Sequence, residues 1–115
     1  MKYEIIELHD TKYPIRFGFN ALRKFSIKTG ATMNDLQKLG NGQMTFNDAF
    51  VLIYCGIEDG YRASKQKFTM SLDDVTDLFD GNMNKMEEIF TILARAMTDD
   101  NSKSGKKQTK KVRKS

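Results

Sequence analysis

One histidine and one cysteine, His9 and Cys55, are the chain's whole stock of imidazole and thiol. A zinc site needs several such ligands at short spacings, and a cysteine or serine nucleophile needs a histidine placed to take its proton. One of each, far apart in sequence, builds neither. His9 stands in the polar run His9-Asp10-Thr11-Lys12, where a solvated turn residue is expected. Cys55 follows Val51-Leu52-Ile53-Tyr54, so it reads as a buried free thiol that packs like a small hydrophobe. A lone cysteine forms no internal disulfide, which fits a reducing compartment. Carboxylates are better supplied: Asp73, Asp74, Asp77 and Asp80 fall in one short stretch. They lack the alternate-position ligands, central glycine and terminal glutamate of a calcium loop. They suit a helix start instead, where negative charge meets the positive end of the dipole. Gly40-Asn41-Gly42 is too short for a phosphate loop, and no Lys-Ser or Lys-Thr pair follows at the required distance. The expected inventory is no catalytic group, no cofactor and no metal: a binding protein, not an enzyme.

Binding chemistry is better represented. The chain has 19 Lys and Arg against 15 Asp and Glu, a formal net charge of +4. Seven of the basic residues, Lys103, Lys106, Lys107, Lys110, Lys111, Arg113 and Lys114, crowd the end, and no acid follows Asp100. The rest holds 12 basic against 15 acidic residues, a net of −3. A mildly acidic body argues against a globular nucleic-acid-binding face. The tail could grip phosphate by charge alone, weakly and without sequence preference, since no aromatic residue is interleaved. A solvated tail is the simpler reading. Methionine suits both irregular cores and surfaces that adapt to a partner. Met83, Met86 and Met97 near the end of the body, with Val51, Leu52 and Cys55 on a central helix, are the candidate partner-binding residues. Core filling is the competing explanation for all six.

These residues need elements to carry them. A chain of 115 residues fits one domain, and a body of that size buries about two thirds of its unfolded surface. Lys2 to Leu8 alternates as a strand, with Tyr3 and Ile5 on one face and Glu4, Ile6 and Leu8 on the other. Tyr13 to Phe19 alternates as a second strand, with Pro14 at its start or on an open edge. Asn20 suits a helix N-cap and Gly30 a C-terminal stop, around Leu22, Phe25, Ile27 and Lys28. Thr32, with Asp35, caps a shorter helix that stops at Gly40, and Asn41-Gly42 turns the chain. Thr45 with Asp48 starts what reads as the longest helix. Its broad face is Phe46, Ala49, Phe50, Ile53, Tyr54, Ile57 and Tyr61, with Val51, Leu52 and Cys55 off that face. A helix apolar on more than one side is central, and Gly56 and Gly60, four apart, offer a neighbouring helix a close approach. Ser71 with Asp74 caps a short helix through Val75, Leu78 and Phe79, broken at Asp80-Gly81-Asn82. The last helix carries Met86, Ile89, Phe90, Leu93, Ala94 and Met97 at helical spacing, with Lys85, Glu88 and Arg95 opposite.

The expected fold is therefore mainly α (α+β): an N-terminal two-stranded β-hairpin packed on four or five helices over residues 1–98. A disordered basic tail over 99–115 follows, because that stretch has one aliphatic residue, Val112, and no aromatic. No secretory signal opens the chain, and the longest strongly apolar run, Ala49 to Cys55, is far too short for a bilayer. A soluble protein is expected.

The arrangement resembles the tail assembly chaperones of long-tailed bacteriophages and related prophages. The residues that carry the resemblance are Tyr13-Pro14-Ile15-Arg16-Phe17-Gly18-Phe19 running into Asn20-Ala21-Leu22, then Thr29-Gly30 and the short helix to Leu39. Phe50-Val51-Leu52-Ile53-Tyr54-Cys55-Gly56-Ile57 and Phe68-Thr69-Met70-Ser71-Leu72-Asp73-Asp74-Val75 follow, with the last helix to Met97. The likeness covers the body and not the tail, and it is a pattern of elements without a catalytic signature. It implies a protein of the host bacterial cytoplasm that binds the tape-measure protein, keeps it soluble and helps tail-tube protein gather around it. It implies absence from the mature virion and, in many members, a longer form made by ribosomal frameshifting. The lysine pairs Lys106-Lys107 and Lys110-Lys111 can be encoded by A-rich runs on which ribosomes slip. The other function class is a small nucleic-acid-associated regulatory protein holding phosphate through its basic tail.

Overall fold

The computed structural model describes residues 2–39 and 41–105, without the side chains of 99–105. Two strands come first, β1 (Glu4–Leu8) and β2 (Thr11–Ile15). Five helices follow: α1 (Phe19–Thr29), α2 (Met33–Leu39), α3 (Phe46–Ala63), α4 (Leu72–Asp77) and α5 (Asn84–Gly105). The expected class, mainly helical with an N-terminal hairpin, is the one found.

The hairpin pairs Leu8 with Thr11 and Glu4 with Ile15. His9 and Asp10 form its two-residue turn, both at positive φ (51° and 63°), a backbone that matches the twist of the strands. Counted from the hydrogen-bonded pair at such a turn, Ile5 and Pro14 form a non-hydrogen-bonded pair. The missing proline N–H therefore breaks no ladder bond. Ile6, Leu8 and Ile15 are buried, while Tyr3 and Ile5 on the other face are exposed. The second strand is shorter and begins earlier than Tyr13–Phe19. It stops because the Arg16 N–H turns away to the Gly56 carbonyl of α3, at 2.9 Å.

Helix starts follow local chemistry. The Thr45 hydroxyl accepts from the Asp48 N–H at 3.1 Å. Ser71 and Asp74 cap α4 reciprocally. Thr32 and Asp35 do the same for α2, at 3.2 and 2.9 Å. The Thr32 backbone and hydroxyl bonds hold the Asp35 carboxyl below its ordinary pKa. At α1 the expectation fails: Asn20 lies inside the first turn, and Gly18 holds the cap position with no side-chain bond. Gly30 ends α1 at φ 77°, as expected of a left-handed stop.

α3 is the centre of the core. Its buried residues run almost without a break from Ala49 to Gly60, and α1, β2 and α4 all pack on it. Gly56 and Gly60 do permit a close approach, but what they admit is the hairpin and not a helix. A methyl group at Gly60 would overlap the backbone of Pro14 and Ile15, and one at Gly56 would overlap the Phe17 ring. α5 closes the other side with Ile89, Ile92 and Leu93, so Ile92 widens the expected stripe. It runs beside β1, with Asn82 Nδ2 3.0 Å from His9 Nε2 just before its start and Arg95 3.8 Å from Glu4 further along. α5, not α3, is the longest helix. Its backbone stays helical through Gly105, past Thr98 where the apolar pattern stops. Gly40 and residues 106–115, most of the expected tail, lie outside the described residues. No helix among the described residues is long and apolar enough to cross a membrane.

Candidate partner-binding surface

The surface is built outward from a buried charge. Asp59 sits on α3 with 2% of its area exposed. Burying a carboxylate costs several kcal/mol unless it is fully paired. Here Arg16 Nη1 donates to it at 2.9 Å, Arg62 Nε and Nη2 at 3.1 and 2.9 Å, and the Gly18 N–H at 3.3 Å. With the Arg16 N–H bonded to the Gly56 carbonyl, residues 16–18 are fastened to α3 at three points. Sequence reasoning passed over this node, although a signal was present. Leu52, Cys55 and Asp59 stand at helical spacing, so a carboxylate continues an apolar stripe, and Arg16 interrupts an aromatic strand.

The fastening decides which aromatic side chains face in and which face out. Phe17 drops onto Gly56 and is buried. Two residues later the chain has entered α1, and Phe19 is 80% exposed. Sequence alternation had placed Phe17 and Phe19 on one face of a strand; the helix start between them separates them. α1 buries Ala21 and Phe25, which leaves its far side to Phe19, Arg23 and Ile27. These stand four apart, within about 80° of one another on the wheel. Ile27 is 69% exposed. Lys24 and Lys28 flank the row: Lys24 reaches Glu58 at 3.6 Å, and Lys28 lies 5.4 Å over the Tyr54 ring.

Other large apolar side chains also reach solvent. Met33 on α2, Phe46 at the start of α3 and Met83 before α5 are exposed. Phe46 caps an aromatic column, edge-on to Phe50 at 4.9 Å, which meets Phe79 at 5.7 Å. On α5 a shallow apolar trough lies over Phe90 and Ala94, bounded by Glu87 and Arg95.

Of the six candidates named from sequence, the structure removes three from the surface. Val51, Leu52 and Cys55 are buried in the core, because α3 is covered on both sides by β2, α1 and α4. Met86 and Met97 are half-buried against the core, and Met83 alone is well exposed. Burial pushes the Cys55 thiol up to about 11, which keeps it protonated and inert. His9 is an exposed turn residue. Among the described residues no three His, Cys, Asp or Glu side chains are placed to hold a metal ion. No protein-family model, no curated protein and no solved structure matches the chain.

Proposed function

We propose that this protein is a tail assembly chaperone of a long-tailed bacteriophage or prophage, working in the host cytoplasm and left out of the finished particle. It binds the tape-measure protein, keeps it soluble and, through a longer frameshifted form, helps gather tail-tube protein. The observation that carries this reading is the set of large apolar side chains held in solvent on three helices and the turn before α5: Phe19, Ile27, Met33, Phe46 and Met83. Single exposed hydrophobes are ordinary, but several large ones on a well-packed scaffold mark a surface built for contact. A tape-measure protein is long and helical, and before assembly it displays apolar stripes that aggregate if uncovered. Several anchors spread over a small acidic body suit many copies lining one such partner. The identity of the partner rests on the resemblance of the element pattern.

The test is co-expression with the tape-measure protein of the same genome at matched levels. A raised soluble fraction and co-elution at several copies per partner are expected. An unchanged soluble fraction with no complex on size exclusion would overturn the proposal. A salt-sensitive shift of DNA or RNA that vanishes when residues 99–115 are removed would then favour the nucleic-acid reading, for which the seven basic residues of the tail are the ground.

A further inference from the structure

α1 is the most cationic element of the fold. It carries Arg23, Lys24 and Lys28 and no acidic residue, whereas α4 holds Asp73, Asp74 and Asp77 and no basic one. Residues 1–98 hold 12 basic and 13 acidic residues, a net of −1, so the part of them outside α1 holds 9 basic against 13 acidic, a net of −4. Two of the three α1 cations are engaged within the molecule, Lys24 with Glu58 and Lys28 with the Tyr54 ring. Arg23 meets only a neutral side chain among the described residues, donating from Nε to Asn20 Oδ1 at 3.3 Å. It stands midway between Phe19 and Ile27, the two most exposed apolar side chains of the helix. Along the axis these two anchors are about 12 Å apart, two helical turns. The row is fixed in place at its start, because the Gly18 N–H and Arg16 are bound to Asp59. A surface displayed on a fastened element loses little entropy on binding.

We infer that the Phe19–Arg23–Ile27 face of α1 is a docking site for an acidic amphipathic helix of a partner protein. Apolar side chains two turns apart on that helix cover Phe19 and Ile27, and a carboxylate one turn in pairs with Arg23. The charge contrast selects this occupant. An acidic helix is repelled by most of the body and drawn to α1, which sets both the position and the direction of approach. Covering Phe19 and Ile27 supplies the affinity, because two large exposed side chains leave water together. The inference rests on the reading of the chain as a binding protein, and it stands whether or not the partner is a tape-measure protein.

The experiment uses the full chain and two synthetic helical peptides. Both carry leucines two turns apart; one has glutamate between and beside them, and the other has lysine at the same places. Titration calorimetry gives affinity, and amide chemical shifts locate the contact. The glutamate peptide is expected to bind with shifts centred on α1, and the lysine peptide at least about tenfold more weakly. Arg23→Glu should reverse that preference. Phe19→Ala with Ile27→Ala should abolish binding of the glutamate peptide while the melting temperature stays the same. Equal binding of the two peptides, shifts centred away from α1, or no binding of the glutamate peptide would each overturn the inference. So would docking of α1 on phosphatidylserine vesicles with no peptide discrimination. If the tape-measure protein still co-purifies with the Phe19→Ala, Ile27→Ala variant, the α1 site is lost while the chaperone reading survives.

Discussion

α1 and α3 lie against each other, and both carry apolar residues beyond a single helical stripe. α3 turns nearly all of its apolar residues inward, with ten of its 18 positions buried. α1 buries only Ala21 and Phe25 out of 11 and leaves Phe19 and Ile27 in solvent. The difference is one of coverage. α3 has β2, α1 and α4 around it, so every apolar residue on it except Phe46, at its first position, finds cover. α1 has α3 on one side and nothing among the described elements over Phe19 and Ile27. Excess hydrophobicity on a central helix is therefore core, and the same excess on a peripheral helix is contact surface. Val51, Leu52 and Cys55 look as available in sequence as Phe19 and Ile27 do, and only their position in the fold separates them.

The strongest way to break that contrast is to empty the α3 side. Ile53 is fully buried on α3, and Leu93 is buried on α5. Ile53→Ala and Leu93→Ala should each destabilise by about 2–5 kcal/mol in denaturant titration. A loss below about 1 kcal/mol at either site would mean that the core does not close there. Next in size is the node that joins the two helices. Asp59→Ala removes the buried carboxylate that Arg16, Arg62 and the Gly18 N–H share. Removing one partner of a buried ion pair costs about 3–5 kcal/mol, and the low end is expected here because both arginines reach solvent (29% and 41% exposed). The same titration measures it. Asp59→Ala should also loosen residues 16–18, seen as faster amide exchange at Gly18. Unchanged exchange there would show that Phe17 and Gly56 hold the segment unaided.

Much of this architecture was legible in the sequence. Period-two alternation gave the hairpin, and the Thr32–Asp35 and Ser71–Asp74 pairs gave two helix starts, because capping is local chemistry. The left-handed stop at Gly30 was readable for the same reason. What was not legible depended on long-range neighbours. β2 stops at Ile15 because the Gly56 carbonyl takes the Arg16 N–H, a contact between residues 40 positions apart in the chain. The partner of the Gly56–Gly60 notch is likewise set by tertiary packing, and it is a strand edge where spacing alone suggested a helix. The candidate surface fared worst. Polarity patterns say how much apolar area a helix carries, not which part the rest of the chain will cover. Three of six candidates went inside on that account, and the α1 row was missed.

The smallest stability effect is the sharpest check on the contrast, and it sits within three residues. Phe17 and Phe19 are the same residue type, two apart, in one aromatic run. Phe17→Ala removes a ring buried against Gly56 and should cost about 3–5 kcal/mol. Phe19 is 80% exposed, so Phe19→Ala should change stability by no more than about 0.5 kcal/mol. A slight gain is the favoured sign, since alanine is the better helix former and little apolar contact is lost. Denaturant midpoints of the two single variants measure both values at once. A clear loss from Phe19→Ala would mean that the ring packs on the body in solution, and α1 would then have no open apolar row. A negligible loss from Phe17→Ala would mean that the Asp59 fastening alone orients the segment. The expected pair, a large loss beside almost none, shows a chain that spends one phenylalanine on its own core and keeps the next for something else to cover.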